Sequence, residues 1–203
     1  MPNVYDFDKT IVYPDSTEQF FRFCMRRHPG LMRYAPWQAY GLLRWHFQLR
    51  YTRGPQRIRR FVGVDTKTQA KADFYRFLRG LPDWQEEVAL FWREPRMRLK
   101  PWFLERVRPD DIVISASPEF LLRPVVCERL GLRLVASRVD PLTGHTTGEN
   151  CHGDEKVRRL REAYGDVAIE TFYSDDPIAD APLARLAKEA ILVKGDELLP
   201  WPA

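Results

Sequence analysis

Asn3-Val4-Tyr5-Asp6-Phe7-Asp8-Lys9-Thr10-Ile11-Val12 opens on a short apolar run and closes it with two aspartates two residues apart. Val4, Tyr5 and Phe7 make residues 3–7 read as a buried strand. A carboxylate left unpaired at the end of such a strand costs several kcal/mol, so its charge needs a metal ion, a pairing cation or a reaction to compensate it. Side chains two apart on a strand point to the same side, and Asp6 and Asp8 can therefore address one ion or one substrate.

Beyond residue 111 short apolar runs alternate with helical stretches. Strands are expected at 111–116, 132–139, 167–174 and 190–194, and helices at 120–130, 154–164 and 182–189. The segment Asp140-Pro141-Leu142-Thr143-Gly144-His145-Thr146-Thr147-Gly148 reads as a hairpin turn with its return. Nearly continuous apolar strands separated by helices argue for an α/β protein whose parallel sheet is covered on both faces.

The first strand belongs with that sheet, so the stretch between is an insert. Asp15-Ser16-Thr17-Glu18-Gln19 is a helix start, with Asp15 or Ser16 as N-cap and Glu18 or Gln19 placed for a capping box. The pattern stays helical to about residue 94, broken at His28-Pro29-Gly30, Gly54-Pro55 and Gly80-Leu81-Pro82, and a short helix follows Pro101. Connections in such sheets are short, so an insert of roughly ninety residues amounts to an all-helical cap. The expected division is a catalytic core of residues 1–13 and 98–203 and a cap of residues 14–97.

Ligands of open parallel sheets bind at the carboxyl ends of the strands. Asp6 and Asp8 lie at one such end. The second strand ends in Ser115, a hydroxyl followed by Ala116, whose small side chain lets the backbone come close. The strand at 167–174 is followed by Asp175, Asp176 and Asp180, and Lys156 falls in the first turn of a helix. Carboxylates, a hydroxyl and a lysine form a site for a hard cation bound through oxygen, Mg²⁺ above all.

This constellation resembles the haloacid dehalogenase superfamily of aspartate-nucleophile phosphatases. Asp6-Phe7-Asp8-Lys9-Thr10 is similar to its Asp-x-Asp-x-Thr motif, Ser115 to its strand-end hydroxyl, Lys156 to its third motif, and Asp175-Asp176 with Asp180 to its acidic fourth. A cap inserted after the first motif resembles the branch that contains the phosphoserine phosphatases. The resemblance implies a Rossmann-like core and hydrolysis of a small-molecule phosphate monoester with Mg²⁺. Asp6 would attack phosphorus to form an aspartyl-phosphate, and Asp8 would serve as general acid and base. Ser115, Ala116 and Lys156 would hold the phosphoryl oxygens. Asp6, Asp8, Asp175, Asp176 and Asp180 form the candidate metal set. The family's four-residue spacing joins Asp176 to Asp180, whereas Asp175 follows Phe-Tyr-Ser as the ligand does in close relatives; both stay open, and Asp175 is favoured. Asp15 matches a position where phosphoserine phosphatases hold an acid that meets substrate, and it equally explains itself as a helix cap.

The three cysteines, Cys24, Cys127 and Cys151, have no paired spacing, which argues against a disulfide framework or a zinc site. No basic segment precedes an apolar stretch and cleavage site, and no run approaches the roughly 18 apolar residues of a membrane span, so a cytoplasmic protein is expected. The net charge of +4 conceals an asymmetry: Gln19 to Val64 holds ten arginines and no acid. Such a block suits an anionic partner. Phe21-Arg22-Phe23-Cys24-Met25-Arg26-Arg27-His28-Pro29 and Cys151-His152-Gly153-Asp154-Glu155-Lys156-Val157 resemble the bacterial phosphatidylglycerophosphate phosphatases of the same branch, which implies peripheral contact with anionic lipid as an alternative. Arg44, His46 and Arg50 interrupt the apolar segment that starts at Trp37, which suits an interface better than a span. A third reading, a non-catalytic module that binds anions through its arginines, ranks last. Nucleic acid is not expected, since no motif of a known nucleic-acid fold is present.

Overall fold

A computed structural model describes residues 1–41, 43 and 67–202. Its strands are β1 Val4–Tyr5, β2 Ile112–Pro118, β3 Arg133–Ser137, β4 Ile169–Ser174, β5 Ala187–Lys194 and β6 Glu197–Pro200. They form a sheet in the order β3-β2-β1-β4-β5-β6, the first five parallel and β6 antiparallel to β5. β1 is central: Val4 pairs with Ile112 and Phe172, and Tyr5 with Val113 and Tyr173. The strand order reverses there, which opens the crevice that such sheets use for ligands.

Alternation sends successive side chains to opposite faces. Val4, Ile112, Ile114 and Phe172 pack with Leu160 and Leu183 on one face, while Tyr5, Phe7 and Val113 pack with Phe103 and Leu121 on the other. The sheet is apolar on both sides, as its sequence requires.

Between β1 and β2 the described elements are helical, apart from an isolated bridge of Val12 with Leu99. They are α1 Ser16–Arg27, a 3₁₀ segment Pro29–Tyr34, helical residues 35–41, α2 Lys67–Tyr75, a 3₁₀ segment Arg76–Gly80 and α3 Trp84–Phe91. Asp15 is the N-cap of α1, its Oδ1 accepting from Glu18 N at 2.9 Å. Phe20, Phe23 and Cys24, spaced three and four apart, give α1 one apolar face. The Phe20 ring lies 5.3 Å from Phe91 and 6.3 Å from Phe120, so insert and sheet share one continuous apolar core. Each fully buried phenylalanine there contributes about 1.5–3 kcal/mol. The backbones also meet closely: a Cβ on Gly144 would sit 2.3 Å from the carbonyl oxygen of Tyr75, and Gly144 has φ +71°.

After the insert come α4 Pro101–Arg106, α5 Glu119–Arg123, α6 Asp154–Tyr164 and α7 Ala181–Ala184. Three features differ from the sequence expectation. The helix expected over 120–130 widens at Pro124 into a π-helical segment, Pro124–Arg129, with Leu130 N donating to Val125 O at 3.1 Å. Proline lacks the N–H of a helical bond and crowds the preceding turn, which accounts for the change. The helix expected over 182–189 ends at Ala184, because residues from Ala187 pair with Ile169 and beyond along β4. The edge strand β6 was not expected. It returns through Gly195-Asp196, with Gly195 at φ +59°, a two-residue connection of the hairpin kind.

Six of the ten arginines of the acid-free block, Arg44, Arg50, Arg53, Arg57, Arg59 and Arg60, lie outside the described residues, and so does the Gly54-Pro55 break. Among the described residues no helix is long and apolar enough to cross a membrane. The described arginines of the block have local partners. Arg22 pairs with Glu18 and Arg26 with Glu94, Arg33 lies over the Tyr34 ring, and Arg27 reaches Glu87 at 2.8 Å. Glu87 is buried and also faces His28 Nε2 at 2.9 Å, so its carboxylate ties the end of α1 to α3. Burial pushes the Glu87 carboxyl up, and the Arg27 and His28 hydrogen bonds outweigh it, leaving it below the usual glutamate range.

Replacing Glu87 by Gln should therefore destabilise the fold by about 2 kcal/mol at pH 7, the scale of hydrogen bonds to charged groups. A lowered folded pKa contributes stability that is fully present above the ordinary glutamate value of about 4.3 and is lost as pH falls through the folded value. Urea unfolding of both proteins at pH 7 and near pH 3 should show the difference shrinking with acid. A gap independent of pH would contradict this assignment.

Candidate functional site

The carboxyl end of β1 lies between the ends of β2 and β4, and the chain turns there through Lys9, a non-glycine residue at φ 59°. The left-handed turn is held from outside. Lys100, buried, donates through Nζ to the carbonyls of Lys9 at 2.6 Å and Gly195 at 2.5 Å.

Asp6 is buried, and its main-chain N–H donates to Tyr173 O at 2.8 Å. Its Oδ1 accepts from Lys156 Nζ at 2.6 Å. The same ammonium stands 2.8 Å from both oxygens of Asp180, donating to Oδ2, and Asp180 Oδ2 also accepts from Ser174 Oγ at 2.6 Å. Lys156 sits in the first turn of α6, where the helix dipole disfavours a cation. Asp154 and Glu155 in that turn suit the dipole; Lys156 is there for the two aspartates. Gly153 at φ +61° makes the turn into the helix.

A second carboxylate joins through a hydroxyl. Thr10 Oγ1 lies 3.3 Å from Asp6 Oδ2 and 3.4 Å from Asp175 Oδ1, and it accepts from Asp175 N at 3.0 Å. Asp176 does not join. It is exposed, and its Oδ1 accepts from Ile178 N and Ala179 N, which closes its own loop.

Burial and nearby lysines set the protonation of these groups. Burial works against the Lys156 ammonium, but Asp6 and Asp180 outweigh it and hold its pKa above the ordinary value. Burial raises the Asp6 carboxyl, Lys156 opposes the rise and Asp180 adds to it. Asp175 is raised too, by burial first, with Lys9 opposing and Asp176 reinforcing. Lys156 stays protonated between Asp6 and Asp180, while Asp175 feels the charges of Lys9 and Lys100 and makes no ion pair with them among the described residues. Among the described residues no three His, Cys, Asp or Glu side chains stand close enough to hold a metal by themselves. The donor set is two carboxylates, Asp6 and Asp175, with the Thr10 hydroxyl between them. That suits a small hard cation, which keeps waters and substrate oxygens in its shell.

Asp8 belongs to a second group. Its Oδ1 accepts from Ser16 N at 2.6 Å and its Oδ2 from Ser117 Oγ at 2.5 Å. Burial and the nearby Asp15 push the Asp8 carboxyl up, against the Ser117 and Ser16 hydrogen bonds, to about 6. Ser115 is buried, its Oγ accepting from Ser117 N at 3.0 Å. The Ala116 carbonyl accepts from Lys71 Nζ of α2 and from Ser137 Oγ, both at 2.9 Å, and Lys71 also donates to Asn150 Oδ1 at 2.9 Å. Asp15 caps α1. Cys151 is fully buried, its thiol raised by burial to about 11.

The structure thus brings Asp6, Lys156, Asp180 and Asp175 into one cluster and Asp8, Ser115 and Asp15 beside it, and leaves Asp176 outside. Sequence reasoning missed Ser117 and Lys71. Ser117 had a signal, since it lies two residues beyond Ser115 on the same strand; a single lysine in a helical insert carries none.

Comparison with known proteins shows the family and the fold. The family model of haloacid dehalogenase-like hydrolases matches residues 4–185, and the chain belongs to that family. The protein CicA of Caulobacter vibrioides (strain NA1000 / CB15N) is 26% identical over 200 residues, covering 91% of this chain and 82% of its own. A crystal structure of a protein of unknown function from Bordetella pertussis Tohama I superposes with TM-score 0.65 at 19% identity, over 94% of this chain and 88% of its own. A phosphoserine phosphohydrolase-like protein from Francisella tularensis subsp. tularensis SCHU S4 gives 0.57 at 14% identity, over 97% and 88%. A phosphoserine phosphatase in apo form gives 0.52 at 16%, over 94% and 85%. At these identities the solved structures establish a common fold.

The charge balance makes a stability prediction. Lys156→Met leaves Asp6 and Asp180 buried without their cation and should cost about 3–5 kcal/mol at pH 7. Because Lys156 is held above its ordinary pKa, its contribution is fully present below about 10.4. In the variant the two carboxyls take up protons instead, so the deficit should narrow as pH falls towards 5. Denaturant unfolding at both pH values reads this, and a deficit that widens with acid would contradict it.

Proposed function

We propose that the protein is a Mg²⁺-dependent phosphomonoesterase that works through an aspartyl-phosphate on Asp6. The observation that carries this reading is the Asp6 carboxylate, 2.6 Å from Lys156 and joined through Thr10 to Asp175, with the raised Asp8 carboxyl two residues further on. A carboxylate nucleophile, a fixed cation, a second carboxylate for a metal and a separate acid with a pKa of about 6 are what phosphoryl transfer to an aspartate needs.

Asp6 attacks phosphorus while the bond to the leaving alcohol breaks, and the alcohol oxygen takes the Asp8 proton. Water then attacks the aspartyl-phosphate and gives its proton back to Asp8, freeing phosphate. Lys156 and Ser115, with the main chain at Ala116, hold the phosphoryl oxygens as their charge shifts. The family generally uses Mg²⁺, and here Asp6 and Asp175 would hold it. Asp8, whose side-chain oxygens accept from Ser16 N and Ser117 Oγ, serves in proton transfer. When bound, the ion supplies positive charge that offsets the repulsion between carboxylate and phosphate. Asp180 supports Lys156. The described residues of the 14–97 insert would cap this end of the sheet, and Asp15, whose charge acts on Asp8, would face the leaving group.

The substrate class we favour is a small soluble ester. A lipid phosphate is the second reading, supported by the exposed Trp37, Tyr40 and Leu43 of the insert, with the Arg76 guanidinium 4.1 Å from the Trp37 ring centroid. A panel of phosphate monoesters that includes one lipid phosphate in anionic vesicles tests both. Turnover should vanish on chelation, return with Mg²⁺ and not with Ca²⁺, whose larger, looser shell misplaces the reacting groups. Asp175→Asn should raise the Mg²⁺ needed for half-activity by at least about tenfold, and Asp176→Asn by less than about twofold. Undiminished turnover after exhaustive chelation, or no hydrolysis of any ester, would overturn the reading.

A further inference from the structure

Asp8 is held in an unusually complete way for a side chain at a chain turn. Its two carboxyl oxygens each accept one hydrogen bond, from Ser16 N at 2.6 Å and from Ser117 Oγ at 2.5 Å. The two donors come from different parts of the fold. Ser16 is the first residue of α1, and Ser117 lies at the end of β2. Rotation of a carboxyl group about its last bond is soft and broad, and one hydrogen bond leaves it free to swing. Two donors on different oxygens fix its plane.

Ser117 is itself fixed. Its oxygen lies 2.8 Å from Thr17 Oγ1 and accepts from Ser16 Oγ at 3.3 Å, and its main-chain N–H donates to Ser115 Oγ at 3.0 Å. With hydroxyls of α1 around its oxygen, the Ser117 proton is committed to Asp8. Tyr75, from α2, brings a buried hydroxyl against Thr17 that has no hydrogen-bond partner of normal geometry among the described residues. The first turn of the insert therefore packs on Ser117 as a small hydroxyl cluster, and Asp8 is the carboxylate bonded to it.

From this geometry we infer that Ser117 is a positioning residue for proton transfer: its hydroxyl aims the Asp8 carboxyl at the bridging oxygen of the substrate. The inference rests on the proposed phosphatase reading. As Asp6 forms its bond to phosphorus and the bond to the alcohol breaks, the electron pair passes to the alcohol oxygen, which takes the proton from Asp8. The Asp8 carboxylate that results keeps the Ser117 hydrogen bond, so no donor has to move during the step. Ser115 has the separate task of meeting the phosphoryl group; the two serines lie where the pairing of β2 with β3 shifts register, and Ser117 N donates to Ser115 Oγ, so each is held for its own partner.

The inference predicts a dependence on the leaving group that a structural role would not produce. An alkoxide leaves only with a proton, whereas 4-nitrophenolate is weakly basic and leaves without one. The measurement is kcat/KM, which reports steps through departure of the alcohol, for 4-nitrophenyl phosphate and for an alkyl phosphate that the wild-type enzyme accepts. Ser117→Ala should lower the alkyl value by about 10²-fold, the loss expected when a catalytic group is misaimed, and the nitrophenyl value by no more than a few-fold. In an Asp8→Asn background Ser117→Ala should cost nothing further, because it acts through Asp8. Thr17→Val, which removes one hydroxyl from the cluster on a half-buried surface, should show the same pattern more weakly, and it serves if Ser117→Ala does not fold. Equal losses on both esters, no loss, or full additivity with Asp8→Asn would overturn the inference while leaving the phosphatase reading intact. Failure of the wild-type enzyme to hydrolyse either ester in Mg²⁺ would overturn both.

Discussion

A single ammonium between two buried carboxylates organises the carboxyl edge of the sheet. Lys156 reaches Asp6 at the end of β1 and Asp180 in the loop after β4, and it comes from the first turn of a helix whose dipole does not welcome it. A buried ion pair of this kind is poor evidence of stability, since desolvation consumes most of the attraction. Its worth lies in what it fixes. With Lys156 in place, Asp6 has one oxygen bound and the other turned towards Thr10 and Asp175. The Asp6 and Asp175 carboxylates, joined through the Thr10 hydroxyl, are what suits that edge to a small hard cation.

The insert is also coupled to that edge outside its apolar core. The N-terminus of α1 donates to Asp8, Lys71 of α2 donates to the Ala116 carbonyl, and the hairpin around Gly144 lies against the backbone of Tyr75. The first two of these contacts involve a residue on or next to a candidate catalytic position. Core and insert therefore meet at neighbouring groups: the core sets Asp6 and Lys156, and the first turn of the insert, with Ser117 of β2, sets Asp8. A change in how the insert seats would reach Asp8 before it reached Asp6.

Much of this was legible in the residues, for identifiable reasons. Strands such as Ile112–Pro118 and Ile169–Ser174 are apolar on both faces, which only a covered sheet tolerates, and two aspartates closing such a strand announce a site. What was not legible depended on partners distant in sequence. Residues from Ala187 have helical composition and become strand because β4 offers a full-length edge. Pro124 was visible, but its consequence, a π-helical turn and not a break, depends on the packing of the next turn. Asp175 and Asp176 are chemically identical neighbours; only Thr10, 165 residues away from Asp175, distinguishes them. Ser117 was readable as the second serine at the end of its strand, yet its partner Asp8 is 109 residues away.

The central claim is that the Asp6 carboxylate becomes bonded to phosphorus. Rapid mixing with excess 4-nitrophenyl phosphate in Mg²⁺, an acid quench and peptide mapping by mass spectrometry test it directly. The account predicts one phosphoryl group on Asp6, lost on treatment with hydroxylamine and absent from Asp6→Asn. A phosphoryl group on another residue, or turnover with no phosphorylated peptide at any quench time, would contradict it.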